Sequence, residues 1–241
     1  ITAGSYLDSF FFGDTYYSDA KNPAHTYLTE GAYTILHRMT SDQGCMDSSK
    51  IEVELNPTPN TSFGIGDTGQ CFRGHSFVLT NNSSIKSGSF SNYWDLGDGS
   101  SSRTAAFAQS YLNPGNYTIK LVTQSNKNCF DSVTQFVLVH PETSIGFTID
   151  RDTQCFTGHL FSFSDTSALS KGTYTRLWRL GDTDTSTAAT LGKIYGVQNN
   201  YKVKLITVTD MDCQDSIEKE VVLLHSTVAS FGINDNTQCK D

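Results

Sequence analysis

Six cysteines fall on two registers of a single period. Cys45, Cys129 and Cys213 follow one another at intervals of 84 residues, and so do Cys71, Cys155 and Cys239. Self-similarity at a fixed period marks a tandem array in which every unit must fold the same way. Other residues hold the register with no insertion or deletion. Gly13-Asp14, Gly97-Asp98 and Gly181-Asp182 align, as do Tyr27, Tyr111 and Tyr195, and then Tyr33, Tyr117 and Tyr201. Cys-x-Asp-Ser recurs at Cys45, Cys129 and Cys213, and Phe63, Phe147 and Phe231 each lead into a Gln-Cys pair. The period predicts a first repeat over 1–57 that lacks its opening strands, full repeats over 58–141 and 142–225, and the start of a fourth over 226–241. The expectation is a window onto a longer array.

Within one period the strand signals are short and regularly spaced. Tyr117, Ile119 and Leu121 alternate onto one face, as do Tyr33, Ile35 and His37, and Tyr201, Val203 and Leu205; a period of two is that of a half-buried strand. Phe77 with Leu79 and Phe161 with Phe163 repeat the pattern. A closing strand carries Val137 and Val139, matched by Val53 with Leu55 and by Val221 with Leu223. Turn residues separate these runs, as in Gly97-Asp98-Gly99-Ser100 and Asn113-Pro114-Gly115-Asn116. No amphipathic helix emerges. The predicted fold is all-β, a series of antiparallel sandwiches.

Charge removes some functions. With 17 Lys and Arg against 25 Asp and Glu, the net charge is -8, which repels a phosphate backbone and argues against nucleic-acid binding. Apolar runs such as Val221-Val222-Leu223-Leu224 are too short for a membrane span. His-Glu-x-x-His and Gly-x-Ser-x-Gly are both missing from the sequence, so neither motif nominates a catalytic centre. His75 and His159 share a register beside a Gly, which suggests a hydrogen-bonding role in a turn.

Tyr93-Trp94-Asp95-Leu96-Gly97-Asp98-Gly99, followed by Asn113-Pro114-Gly115-Asn116-Tyr117, resembles the signature of polycystic-kidney-disease (PKD) domains, an immunoglobulin-like sandwich family with a Trp-Asp-Phe-Gly-Asp-Gly core motif. The third repeat keeps Trp178, Gly181 and Asp182 but reads Arg179 and Thr183 where the motif has Asp and Gly; the first reads Phe10-Phe11-Phe12-Gly13-Asp14-Thr15. The cysteine-bearing form looks like repeats of giant secreted proteins of Bacteroidota, among them surface adhesins and filaments exported by the type IX pathway. The resemblance implies a non-enzymatic stalk or filament segment at the cell surface, with neighbouring repeats, and possible sister chains in a bundle, as its partners. On the residues themselves, Trp94 and Trp178 would fill the space between sheets. Gly97-Asp98 and Gly181-Asp182 would make tight turns. Tyr33, Tyr117 and Tyr201 would act as tyrosine corners.

The cysteines allow two pairings. Cys71 with Cys129 and Cys155 with Cys213 would clamp single repeats, each closing a loop worth about 4 kcal/mol of chain entropy, with Cys45 and Cys239 bonded outside the window. Pairing sequence neighbours, Cys45–Cys71, Cys129–Cys155 and Cys213–Cys239, would instead staple one repeat to the next. Either scheme implies export to an oxidising space. Asp67, Asp150, Asp152 and Asp235 precede cysteines between repeats and are weak calcium candidates, with Asp182 and Asp184 as a further pair; otherwise no cofactor is expected. Tyr16 and Tyr17 replace the Ser100-Ser101 and Asp184-Thr185 of the other repeats. They mark a possible glycan or protein contact, the rival reading being an accessory binding module of a secreted protein or hydrolase.

Overall fold

The computed structural model describes residues 5–232. Within them every regular element is a strand. The first repeat gives β1 (Tyr6–Phe11), β2 (Tyr17–Ser18), β3 (Gly31–Ser41) and β4 (Met46–Leu55), an antiparallel sheet in the order β2-β1-β3-β4. The second gives β5 (Phe63–Ile65), β6 (Gly69–Cys71), β7 (Phe77–Asn81), β8 (Phe90–Asp95), β9 (Ser101–Ser102), β10 (Ala106–Gln109), β11 (Gly115–Ser125) and β12 (Phe130–His140). The third repeats these as β13 (Phe147–Ile149), β14 (Thr153–Cys155), β15 (Phe161–Asp165), β16 (Tyr174–Arg179), β17 (Thr185–Ser186), β18 (Thr190–Lys193), β19 (Asn200–Thr209) and β20 (Gln214–Leu224).

The two full sets have the same topology. Three-stranded sheets β10-β7-β5 and β13-β15-β18 accompany five-stranded sheets β6-β12-β11-β8-β9 and β14-β20-β19-β16-β17. Pairing is antiparallel except at β6 with β12 and β14 with β20, which run parallel. These are tandem immunoglobulin-like β-sandwiches, as the period predicts.

By packing, the chain divides into two compact units. One comprises Ile1–Gly66, Phe77–Gln109 and Tyr117–Val137; the other comprises Asp67–Ser76, Ser110–Asn116 and Leu138–Asp241. In the first unit Phe63, Phe77, Leu79, Trp94, Leu96, Ile119, Leu121 and Val137 are buried. In the second, Phe147, Phe161 and Phe163 lie in one core with Trp178, Val203, Leu205, Val221 and Leu223. Alternation makes this core: along β19 every second side chain, from Tyr201 to Thr209, is buried. The first repeat's matching positions differ. Phe10, Ile35, His37 and Val53 are only half-buried and Leu55 is 39% exposed.

Candidate functional site

The residue-level feature with the most chemistry is a cross-link in the second unit. Cys71 ends β6, where parallel pairing sets it opposite His140 and the Phe72 N–H donates to the His140 carbonyl at 3.0 Å. Cys213 closes the β19–β20 hairpin. The Thr209 N–H donates to its carbonyl at 2.9 Å, its own N–H donates to Thr209 Oγ1 at 3.1 Å, and Asp212 takes φ 59° in between. The two sulfurs are bonded, with Cα atoms 5.5 Å apart and a sequence separation of 142 between the cysteines. Two residues beyond each cysteine stands an ion pair. Arg73 Nη1 and Nη2 donate to Asp215 Oδ1 and Oδ2 at 2.6 and 2.9 Å. Glu142 adds to it, accepting from the Arg73 N–H at 2.8 Å with its other oxygen 3.7 Å from Arg73 Nε. Bidentate guanidinium–carboxylate contacts are among the stronger polar interactions, and the buried Asp215 needs one. The Arg73 hydrogen bonds hold its carboxyl below the ordinary carboxylate range, outweighing the upward push of burial.

This pairing corrects both expected schemes. Cys71 is bonded neither to Cys129 nor to Cys45, and Cys213 neither to Cys155 nor to Cys239; Cys45, Cys129 and Cys155 are free thiols. The reason lies in strand direction. Because β6 runs parallel to the end of β12, Cys71 sits at the finish of its repeat. Cys129 closes the hairpin that precedes β12, at the opposite end of that strand. Cys239 and Asp235 lie outside the described residues. Arg73 and Glu142 were not singled out in the sequence, although a signal existed: their register partners are Thr157 and Ser226, so both break the repeat. At that equivalent place Ser226 Oγ accepts from the Thr157 N–H at 2.9 Å.

The motif residues hold the sandwiches together. Trp94 and Trp178 are fully buried, and each indole N–H donates at 2.9 Å, to the Thr104 and Ala188 carbonyls. Gly97 and Gly181 take φ +79° and +86°, and a Cβ on either would lie 2.5 or 2.8 Å from backbone of the facing strand. Asp98 accepts from the Ser100 N–H, and Asp182 from the Asp184 N–H, both at 2.9 Å. Tyr33 and Tyr201 donate to carbonyls four residues back, Thr29 and Val197, at 2.6 Å; Tyr117 keeps the register and is half-buried. A second tyrosine series has a role that sequence did not assign. Tyr27 and Tyr195 donate to the Phe12 and Leu180 carbonyls just before Gly13 and Gly181, and stack on Tyr33 and Tyr201. His75 and His159 act as neutral clips. Nδ1–H donates to the Phe72 or Phe156 carbonyl and Nε2 accepts from the Tyr111 or Tyr195 N–H.

The remaining candidates are not brought together. Asp67 Oδ1 accepts from the Gly69 N–H and Asp150 Oδ1 from the Ser162 N–H, while Asp152 takes the Thr153 hydroxyl. Lys193 lies against both Asp182 and Asp184, so an ammonium fills the place a cation would take. Among the described residues no group of three or more His, Cys, Asp or Glu could hold a metal ion, and no helix is long and apolar enough to cross a membrane. Tyr16 and Tyr17 are 67% and 65% exposed, Tyr16 tilted against His25 and Tyr17 stacked on Phe11.

The architecture is thus that of tandem immunoglobulin-like β-sandwiches. Within it, a family model described as PKD domain matches residues 56–140, and that stretch is a PKD domain. Solved structures similar to the chain include the PKD1 domain of Vibrio anguillarum Epp, at 28% identity and TM-score 0.31, covering 35% of this chain and 96% of that one. The PKD1 domain of the Vibrio cholerae metalloprotease PrtV is similar at 29% identity and TM-score 0.30, over 35% and 98%. The fibronectin(III)-like modules of Clostridium thermocellum CbhA match at 15% identity and TM-score 0.34, over 72% and 100%. No curated protein matches the chain. PKD and immunoglobulin-like domains are generally non-catalytic, and a PKD domain combined with a disulfide suggests an extracellular module.

Proposed function

We propose that the chain is a non-enzymatic structural segment of a large secreted or cell-surface protein, a stalk or filament of the kind found in adhesins of Bacteroidota. The observation that carries this reading is the brace of Cys71–Cys213 and Arg73–Asp215. It joins residues of the second 84-residue repeat to residues of the third, with covalent and bidentate contacts two positions apart. An array that must keep its repeats in fixed succession has a use for such a joint. The buried residues support the same reading, because the motif side chains spend their hydrogen bonds on their own backbone. Electron microscopy of the protein as its source secretes it tests the proposal. Rods that lengthen in proportion to the number of 84-residue repeats are expected; globular particles of a size independent of repeat number would overturn it.

A second reading rests on the exposed Tyr16 and Tyr17 pair, which the other repeats lack. Aromatic faces suit sugar rings or a protein partner, and a glycan-binding accessory module would use them. Calorimetric titration of the chain with polysaccharides separates the two, since the stalk reading expects no heat of binding at this pair.

A further inference from the structure

The Gly-Asp turn is locked in every repeat by one further side chain, and the lock differs each time. Position 25 of the first repeat returns as 109 and 193 in the others. His25 Nε2 meets Asp14 Oδ2 at 2.7 Å, Gln109 Nε2 donates to Asp98 Oδ2 at 3.3 Å, and Lys193 Nζ lies 2.6 Å from Asp182 Oδ2. The other carboxylate oxygen plays one part throughout. Oδ1 of Asp14, Asp98 and Asp182 accepts from the N–H of Tyr16, Ser100 and Asp184 respectively, each at 2.9 Å. The carbonyls of those three residues then accept from the Phe12, Leu96 and Leu180 N–H groups at 3.3, 3.1 and 3.1 Å, which closes the turn. Each carboxylate is a bridge between the lock and the turn.

The three locks answer differently to pH. A carboxamide is neutral throughout and an ammonium stays charged well above neutrality, whereas histidine is the residue whose charge changes between about pH 5 and 8. The His25 ring is held in place by stacking on Phe12 at 4.3 Å, tilting against Tyr16 at 5.4 Å and standing edge-on to Tyr27 at 4.7 Å. The ionisable groups around it are Asp14 and Tyr16 from the turn and Tyr27 from its own segment, with Tyr33 of β3 stacked behind Tyr27 at 3.8 Å. Phenols are neutral near pH ~7, so the charge facing the ring is that of Asp14. Burial pushes the Asp14 carboxyl up, but the Tyr16 N–H and the His25 ring outweigh it and hold it below the ordinary carboxylate range. Asp14 therefore stays ionised over the whole range in which histidine titrates. The setting belongs to the repeat itself. His25 and Asp14 are 11% and 27% exposed, close to Lys193 and Asp182 at 10% and 29%, and the position of Tyr16 is exposed in all three repeats.

We propose that His25 makes the turn of the first repeat a pH-dependent latch, closed by an imidazolium–carboxylate bond in mild acid and loosened as the ring loses its proton. A hydrogen-bonded ion pair holds harder than a hydrogen bond from a neutral ring. The turn it controls carries Tyr16 and Tyr17, whose rings are exposed. Closing the latch fixes this aromatic edge, so a surface that engages the rings loses less conformational freedom in acid. The second and third repeats keep the same turn without the response. Gln109 is a weak constant lock, and Lys193, which also lies against Asp184, is a strong constant one. The latch is a property of the turn and holds for a stalk as for a binding module.

The three turns serve as one another's controls within a single molecule. The measurement is amide hydrogen exchange by NMR on the 241-residue chain at about pH 5.5 and 8, corrected for the intrinsic pH dependence of exchange. Protection of the Tyr16 N–H should be several-fold greater at the lower pH, while that of the Ser100 and Asp184 N–H groups stays level. His25→Gln should remove the step and leave protection low at both values; His25→Lys should remove it and leave protection high. Both variants place at position 25 a residue that another repeat already carries there, so the fold is kept. His37→Gln removes the histidine that meets Asp8 at 2.8 Å and should leave the step in place. Tyr16 protection that tracks that of Ser100 across pH, or a step that survives His25→Gln, overturns the proposal. A step that follows His37 instead does so as well.

Discussion

The first and third repeats carry the same turn chemistry and reach different degrees of closure. Both place a Gly with positive φ against the facing strand, a tyrosine hydroxyl on the carbonyl before it, and a second tyrosine stacked alongside. In the third repeat Trp178, Val203, Leu205 and Val221 are completely buried. Their counterparts Phe10, Ile35, His37 and Val53 are half-buried, and His37 turns its ring nitrogen to Asp8 at 2.8 Å while stacking on Phe10. Local hydrogen bonding therefore shapes a sheet whether or not a second sheet lies against it, whereas burial requires one. Tight-turn geometry and core formation are separable parts of this fold.

The largest effect should fall where the two repeats differ most. Trp178→Ala is expected to cost about 3–5 kcal/mol of unfolding free energy, and Phe10→Ala about 1 kcal/mol, because a half-exposed ring loses less on truncation. Urea unfolding read by segment-resolved hydrogen exchange measures both, and equal losses would break the contrast. Gly181→Ala and Gly13→Ala should instead match, at about 1–3 kcal/mol each, since both force a Cβ into a left-handed backbone 2.8 Å from main-chain atoms. A smaller, conditional effect concerns Asp215. Its carboxyl lies below the ordinary range in the folded chain. Its contribution is therefore fully present above the unfolded value near pH ~4 and disappears as pH falls through the lower folded value. Arg73→Ala should let that carboxyl rise toward the unfolded value, so that less stability is lost on acidification and the loss is complete at a higher pH; carboxylate titration by NMR checks this. Least of all, Tyr16→Ala and Tyr17→Ala should change stability by less than about 0.5 kcal/mol, and a thermal melt suffices to show it.

Much of the architecture was legible because it depends on local periodicity. Alternation placed Ile119 and Leu121, and Val203 and Leu205, inside; Trp-x-x-Gly-Asp fixed a buried indole and a turn. The cross-link was not legible. Which cysteines meet depends on which end of a sandwich each occupies, and that follows from β6 running parallel to β12, a pairing that three short residues cannot announce. Arg73 went unnoticed for a related reason. A lone arginine after a cysteine reads as solvated surface until the acid at 215 is known to stand opposite.

The span of the cross-link has a consequence for load. A pull on the two ends of the chain reaches Cys71 and crosses directly to Cys213 through sulfur, so residues 72–212 carry no tension while the bond holds. Those 141 residues are hidden length, about 480 Å if drawn out at some 3.4 Å each. Reduction of one bond would convert a nearly inextensible link into a compliant one, and the redox state of the surroundings would set the stiffness of the strand.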